Sequence, residues 1–140
     1  MTKTNSDEQI YTIRLNRKQL KLLSQVCDMQ SRDICGQLDA GVANHIDAAI
    51  FRHYQGDKQF ELRKQVREML KNISVMCWAH KDPREYYGIR YDDDADILFD
   101  MHQVLRHQLW LENPNRTEMT VDSDVHQWGD EPLIEIIKEN

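Results

Sequence analysis

Apolar residues recur at three- and four-residue intervals through most of this chain, and that period commits it to helices. Leu20, Leu23, Val26, Cys27, Ile34, Leu38, Val42, Ile46, Ala49 and Ile50 keep helical spacing, which predicts a long helical stretch from Arg17 to Tyr54. Asn16 and Gln19 stand at N-cap and N3 and form a capping-box pattern at its start. Gly36 and Gly41 lie inside the stretch, and each marks a kink, a break or a close backbone approach. Gln55-Gly56-Asp57 ends it. A second long helix is predicted over Lys58 to Trp78, with Leu62, Val66, Met69, Leu70, Ile73, Met76 and Cys77 on one face. A third, shorter helix is predicted over Asp94 to Leu111, with acidic residues at its start.

Residues 10–15 (IYTIRL) alternate and are β-rich, so they read as a strand, with Met119 to Val121 as its partner. The resulting expectation is an α+β fold, mostly helical, with a small antiparallel sheet. Residues 1–9 read as a disordered lead and 10–140 as a single domain. Its apolar C-terminal segment, containing Ile134, Ile136 and Ile137, docks on this chain or on a neighbour.

With 140 residues, 40% hydrophobic and 30% charged, the chain has the composition of a soluble globular domain. The amino end lacks the apolar core of a secretion signal, and no apolar run of about 18 residues exists. Net charge is −6, and residues 114–140 hold seven acidic and two basic side chains, a net of −5. The remaining residues sum to −1, which argues against duplex nucleic acid as a partner but leaves room for a local basic pocket. Cys27, Cys35 and Cys77 form no CxxC and read as reduced. No HExxH, P-loop, GxGxxG or GxSxG is present, so no metal, cofactor or catalytic nucleophile is expected.

Three constellations carry chemistry. On the third helix, Phe99, His102, Gln103, Arg106 and Trp110 share a face. It can hold a nucleotide, with Arg106 gripping phosphate and an aromatic stacking a base. It reads equally as an amphipathic face with Arg106 paired to an acid. On the first stretch, Asp28, Arg32, Gly36 and Asp39 fall near one line, either a ligand edge or an Asp28–Arg32 pair beside a tight crossing. The stretch from Trp78 to Tyr91 carries Arg84, Tyr86, Tyr87 and Arg90, groups suited to closing over a nucleotide or to anchoring a loop.

Three segments together resemble a known family: residues 11–23 (YTIRLNRKQLKLL), residues 31–38 (SRDICGQL) and residues 100–107 (DMHQVLRH). They are followed by Thr120-Val121-Asp122 and Glu131-Pro132-Leu133. In that order they resemble the phage-encoded anti-Thoeris sponges, which sequester cyclic ADP-ribose immune signals. The resemblance implies a non-enzymatic anti-defence protein of the host bacterial cytoplasm, homo-oligomeric as a dimer or hexamer. It would bind a cyclic nucleotide near subunit contacts without cleaving it. It carries over Arg32, Arg106 and His107 as phosphate contacts. Trp78, Tyr86 and Tyr87 are candidates for the stacking aromatic by their chemistry. The alternative is a phage accessory protein that inhibits a host protein by direct binding.

Overall fold

The structure, a computed structural model, describes residues 6–79, 88–117 and 120–140. Four α-helices follow one another: α1 (Arg17–Ile34), α2 (Ala43–His53), α3 (Asp57–Cys77) and α4 (Asp93–Leu111). Single 3-10 turns stand at Ser6–Glu8 and Val121–Ser123. Among the described residues there is no strand. The expected α+β fold with its antiparallel sheet is therefore corrected to an all-helical one. Residues 10–15 form no strand, Met119 lies outside the described residues, and Val121 turns into a 3-10 helix instead of partnering residues 10–15.

The helices form two antiparallel pairs, α1 with α4 and α2 with α3. In the first pair small residues face one another. Ser31 Oγ donates to the Ala95 carbonyl (2.8 Å) and Ser24 lies against His102, while Cys27 and Leu105 are buried between the helices. In the second pair Leu38, Ala43 and Leu70 form the core, with Val42, Ile46, Val66 and Trp78 packed around it. Asp47 of α2 takes ion pairs from Arg63 (3.3 Å) and Arg67 (2.8 Å) of α3.

The predicted long helix from Arg17 to Tyr54 is two helices, broken at residues 35–42. Gly36, at φ +80°, ends α1 in a Schellman motif: Gln37 N–H donates to the Arg32 carbonyl (2.8 Å) and Gly36 N–H to Asp33 (3.1 Å). Asp33, near the end of α1, then ties down the start of α2 by accepting from Val42 N–H (2.8 Å). Burial raises its carboxyl pKa, against the lowering by that hydrogen bond and by His45. A Cβ at Gly41 would fall 1.8 Å from Asp33 Oδ1, so glycine is what lets the carboxylate reach the new helix.

The C-terminal tail runs extended along α4, and side chains rather than a strand satisfy its backbone. The Gln103 amide donates to the His126 carbonyl (2.9 Å) and accepts from His126 N–H (3.0 Å). One turn away, the buried Asp100 carboxylate accepts from Trp128 N–H (2.9 and 3.0 Å) and from Gly129 N–H (2.8 Å). A Cβ at Gly129 would meet Ile97 Cγ1 at 2.9 Å and Ile97 N at 3.0 Å, so the tail backbone lies directly against α4. Beyond it, Lys138 pairs with Glu112 (3.1 Å) and Glu139 with Arg14 (3.0 Å). Ile134 and Ile136 are half-buried and Ile137 is exposed.

Candidate functional site

The Schellman motif does more than end a helix. It fixes Arg32 and Gln37 side by side, and their side chains join as their backbones do. Arg32 Nη1 donates to Gln37 Oε1 (2.9 Å) and Arg32 Nε to Asp28 Oδ1 (2.9 Å). A guanidinium has five N–H donors, so this arrangement anchors Arg32 on two of them. Its side chain stays partly exposed at the edge of a cavity of about 510 Å³.

Three helices and one loop build that cavity. The end of α1 and its turn contribute Arg32, Gly36, Gln37 and Asp39; α3 contributes Leu70, Lys71 and Ser74; α4 contributes Asp96 and Phe99; Gly88 and Ile89 complete it. Ser74 Oγ donates to the Gly36 carbonyl (2.9 Å), which ties the α1 turn to α3 at the cavity wall. The volume falls in the range of small-molecule sites, about 300–1,000 Å³. Lys71 is exposed and has no ion-pair partner among the described residues. The Asp96 carboxylate is buried and turned to the Arg90 N–H (2.9 and 3.1 Å), which occupies its charge inside the fold. The cavity therefore offers two cations, an amide and an aromatic ring, with the Asp39 carboxylate at its edge.

Its one cysteine, Cys35, is held back as a nucleophile. Burial pushes the Cys35 thiol above its usual range, and the charges of Asp96 and Asp92 push it further the same way, so the reactive thiolate is disfavoured. Among the described residues no three His, Cys, Asp or Glu side chains gather to hold a metal ion.

Of the other sequence-derived candidates, those the structure describes do not line this cavity. Trp78 is a structural side chain. Its indole N–H donates to the Ile34 carbonyl (2.9 Å), and its ring covers Gly36, where a Cβ would sit 2.7 Å from Trp78 Cγ. Tyr86 and Tyr87 lie outside the described residues. Arg106 forms an ion pair with Asp122 (3.0 Å) and donates to the Val121 carbonyl (3.1 Å). His107 Nδ1 is 2.9 Å from the Asp122 carbonyl and its ring stacks on Trp110. Arg106 and His107 thus hold the turn that starts the tail, and neither lines the Arg32 cavity.

Between the two arginines sits His102. Its Nδ1 is 3.0 Å from the Ser24 carbonyl, so that nitrogen carries the proton, and Nε2 is 3.9 Å from Asp28. Burial lowers its pKa, Asp28 and the Ser24 carbonyl oppose this, and Arg106 and Arg32 each add to the lowering.

Phe99 and Gln37 were within reach of sequence reasoning, since one was placed on the α4 face and the other adjoins Gly36. Lys71 and Ser74 were not, because their role depends on how α3 meets the α1 turn. No protein-family model matches the chain, and neither a curated protein nor a solved structure matches it. No helix among the described residues is long and apolar enough to cross a membrane.

Proposed function

We propose that this chain binds a phosphate-bearing nucleotide in the Arg32 cavity and holds it without cleaving it. The ligand class is the cyclic nucleotide immune signal, a cyclic ADP-ribose isomer or a cyclic oligonucleotide. The protein would serve a phage as an anti-defence sponge in the cytoplasm of its bacterial host. The observation that carries this reading is the anchored guanidinium. Asp28 and Gln37 fix Arg32 at the cavity edge, leaving N–H donors to grip phosphate beside Lys71 and the Phe99 ring.

Affinity is the whole task of such a protein, so no general base or metal is needed. Holding a scarce signal at about 10 nM requires roughly 11 kcal/mol. A charge-assisted clamp and one stacked base in a desolvated cavity are of the right order.

The test is retention. The protein is incubated with cyclic ADP-ribose isomers and with cyclic di- and trinucleotides, freed of unbound ligand, and heat-denatured. Intact release of one species, lost in Arg32→Ala, is the expected result. Release of nothing, with every nucleotide intact in the flow-through, moves the reading to a direct inhibitor of a host protein. A consumed nucleotide refutes passive sequestration.

A further inference from the structure

Two stretches of this chain have backbone that the fold does not use. Residues 10–15 and 132–140 run without a turn or a bend, and both are rich in β-formers, IYTIRL in the first and LIEII (133–137) in the second. Among the described residues, no backbone N–H or C=O of residues 11–15 or 132–140 takes part in a hydrogen bond. The two stretches line one groove of about 530 Å³, residues 13–17 from the first and residues 136–139 from the second. Leu20 of α1 and Gln108 of α4 complete it, and the Arg14–Glu139 ion pair (3.0 Å) joins its two sides. The groove is separate from the Arg32 cavity, with which it shares no residue.

We propose that this groove receives an acidic, extended segment of another protein, added as a β-strand. The backbone says that the occupant is a peptide. Each stretch presents N–H donors and C=O acceptors in alternation, and a strand, which has two edges, can bond both stretches at once. A phosphodiester chain offers acceptors and would leave the carbonyls unmet. The side chains say that the peptide is acidic. From residue 10 to residue 27 the chain carries Arg14, Arg17, Lys18 and Lys21 and no acid, in a protein of net charge −6. The acids of the groove are already matched, Glu139 by Arg14 and Glu112 by Lys138. Arg17, Lys18 and Lys21 are exposed and have no ion-pair partner among the described residues. No acidic side chain stands in the first turn of α1, so the positive end of the helix dipole adds to their field. Apolar residues of the peptide, alternating with its acids, would cover Ile13 and Ile137, which are 69% and 83% exposed. The proposal is independent of what the Arg32 cavity holds.

The probe is a fluorescein-labelled peptide of alternating valine and glutamate, seven residues long, titrated with the full chain by fluorescence anisotropy. Binding at about 10–100 μM is expected, with amide hydrogen exchange slowed in residues 11–15 and 133–137. The same peptide N-methylated at every valine, and one with lysine in place of glutamate, should not bind. Arg17→Glu, an acid at the first position of α1 where the dipole favours it, should weaken binding about tenfold, and Lys64→Glu, exposed on α3, should leave it unchanged. Thr12→Pro with Ile13→Pro removes two neighbouring N–H donors that the fold does not use. It should abolish binding with helical circular dichroism unchanged. No binding at 1 mM overturns the proposal. So does equal binding of the N-methylated peptide, which would mean that charge alone is read, or slowed exchange confined to the Arg32 cavity. A native mass above 16.7 kDa that falls when the peptide is added would put a second copy of the chain in the groove, and overturns it too.

Discussion

Replacing Asp100 with asparagine changes two atoms' chemistry and almost no volume, so it isolates what the carboxylate does. Asp100 is 4% exposed and holds the tail through two backbone N–H groups, Trp128 and Gly129, at 2.8–3.0 Å. Hydrogen bonds to a charged acceptor contribute about 1.5–3 kcal/mol each, and a buried donor left without a partner costs about 1–3 kcal/mol. An asparagine keeps one carbonyl oxygen. Its amide nitrogen then faces a backbone donor, so one bond is lost and one N–H is orphaned. The expected cost is about 2–4 kcal/mol, a large share of a typical 5–15 kcal/mol. Two measurements read it: the urea midpoint, and hydrogen exchange at the Trp128 and Gly129 amides. Both amides are expected to exchange 30-fold faster or more in Asp100→Asn. Asp94→Asn, on the exposed first turn of α4, serves as the control. Exchange at Gly129 equal to that of the native chain would show that the carboxylate does not secure the tail.

Gly129→Ala perturbs the same junction sterically. Its Cβ meets α4 backbone at 3.0 Å, and a loss of about 1–3 kcal/mol is expected in urea unfolding; an unchanged midpoint would mean the tail sits further from α4. Stability is expected to depend on pH through His102. Its folded pKa lies below the ordinary value of 6.5, so the unfolded state binds the proton more readily. The contribution is therefore complete above about pH 6.5 and is lost as pH falls through that value toward the folded pKa. Comparing urea midpoints at pH 7.5 and 5.5, His102→Gln should show a smaller drop than the native chain, and an identical drop refutes the assignment. Finally, Arg32→Ala and Arg106→Ala should part company. The first is expected to lose nucleotide retention with the fold intact. The second should keep retention while the turn at Val121–Ser123 becomes more susceptible to proteolysis. Equal loss of retention in both would connect the tail to the cavity.

Local signals were legible because they depend on neighbours in the chain. The Asn16–Gln19 capping box forms in both directions at 2.9 Å, and α3 and α4 begin and end within a residue of where their periodicity places them. Gly36 and Gly41 marked the breaks, but not that Asp33 of α1 would bond the Val42 N–H at the start of α2. The sheet failed for a physical reason. Alternation in residues 10–15 reports a taste for extended backbone, while pairing requires a partner. In the tail, the His126, Trp128 and Gly129 backbone groups are taken by Gln103 and Asp100. The reading of the α4 face as ligand-binding met the same ambiguity. Arginine, histidine and an aromatic grip a backbone turn with the chemistry they would use on a nucleotide, and Arg106 and His107 do the former. The Asp28–Arg32 pair was legible because the two residues lie one helical turn apart, whereas the Arg32–Gln37 bond depends on how the turn at Gly36 folds back.

The clamp of Trp78 on the α1 turn has a consequence for the order in which the chain folds. Docking α1 against α4 closes a loop of 58 residues between Ile34 and Asp93, whereas α2 and α3 meet through neighbours in sequence. Once the α2–α3 hairpin forms and the Trp78 indole finds the Ile34 carbonyl, the ends of those intervening helices are already together. The loop still open then shrinks to residues 79–92, and its closure entropy falls by about 1.3 kcal/mol. Such a chain condenses from its middle outward. A tryptophan that hydrogen-bonds the end of α1 thereby shortens the loop that α4 has to close.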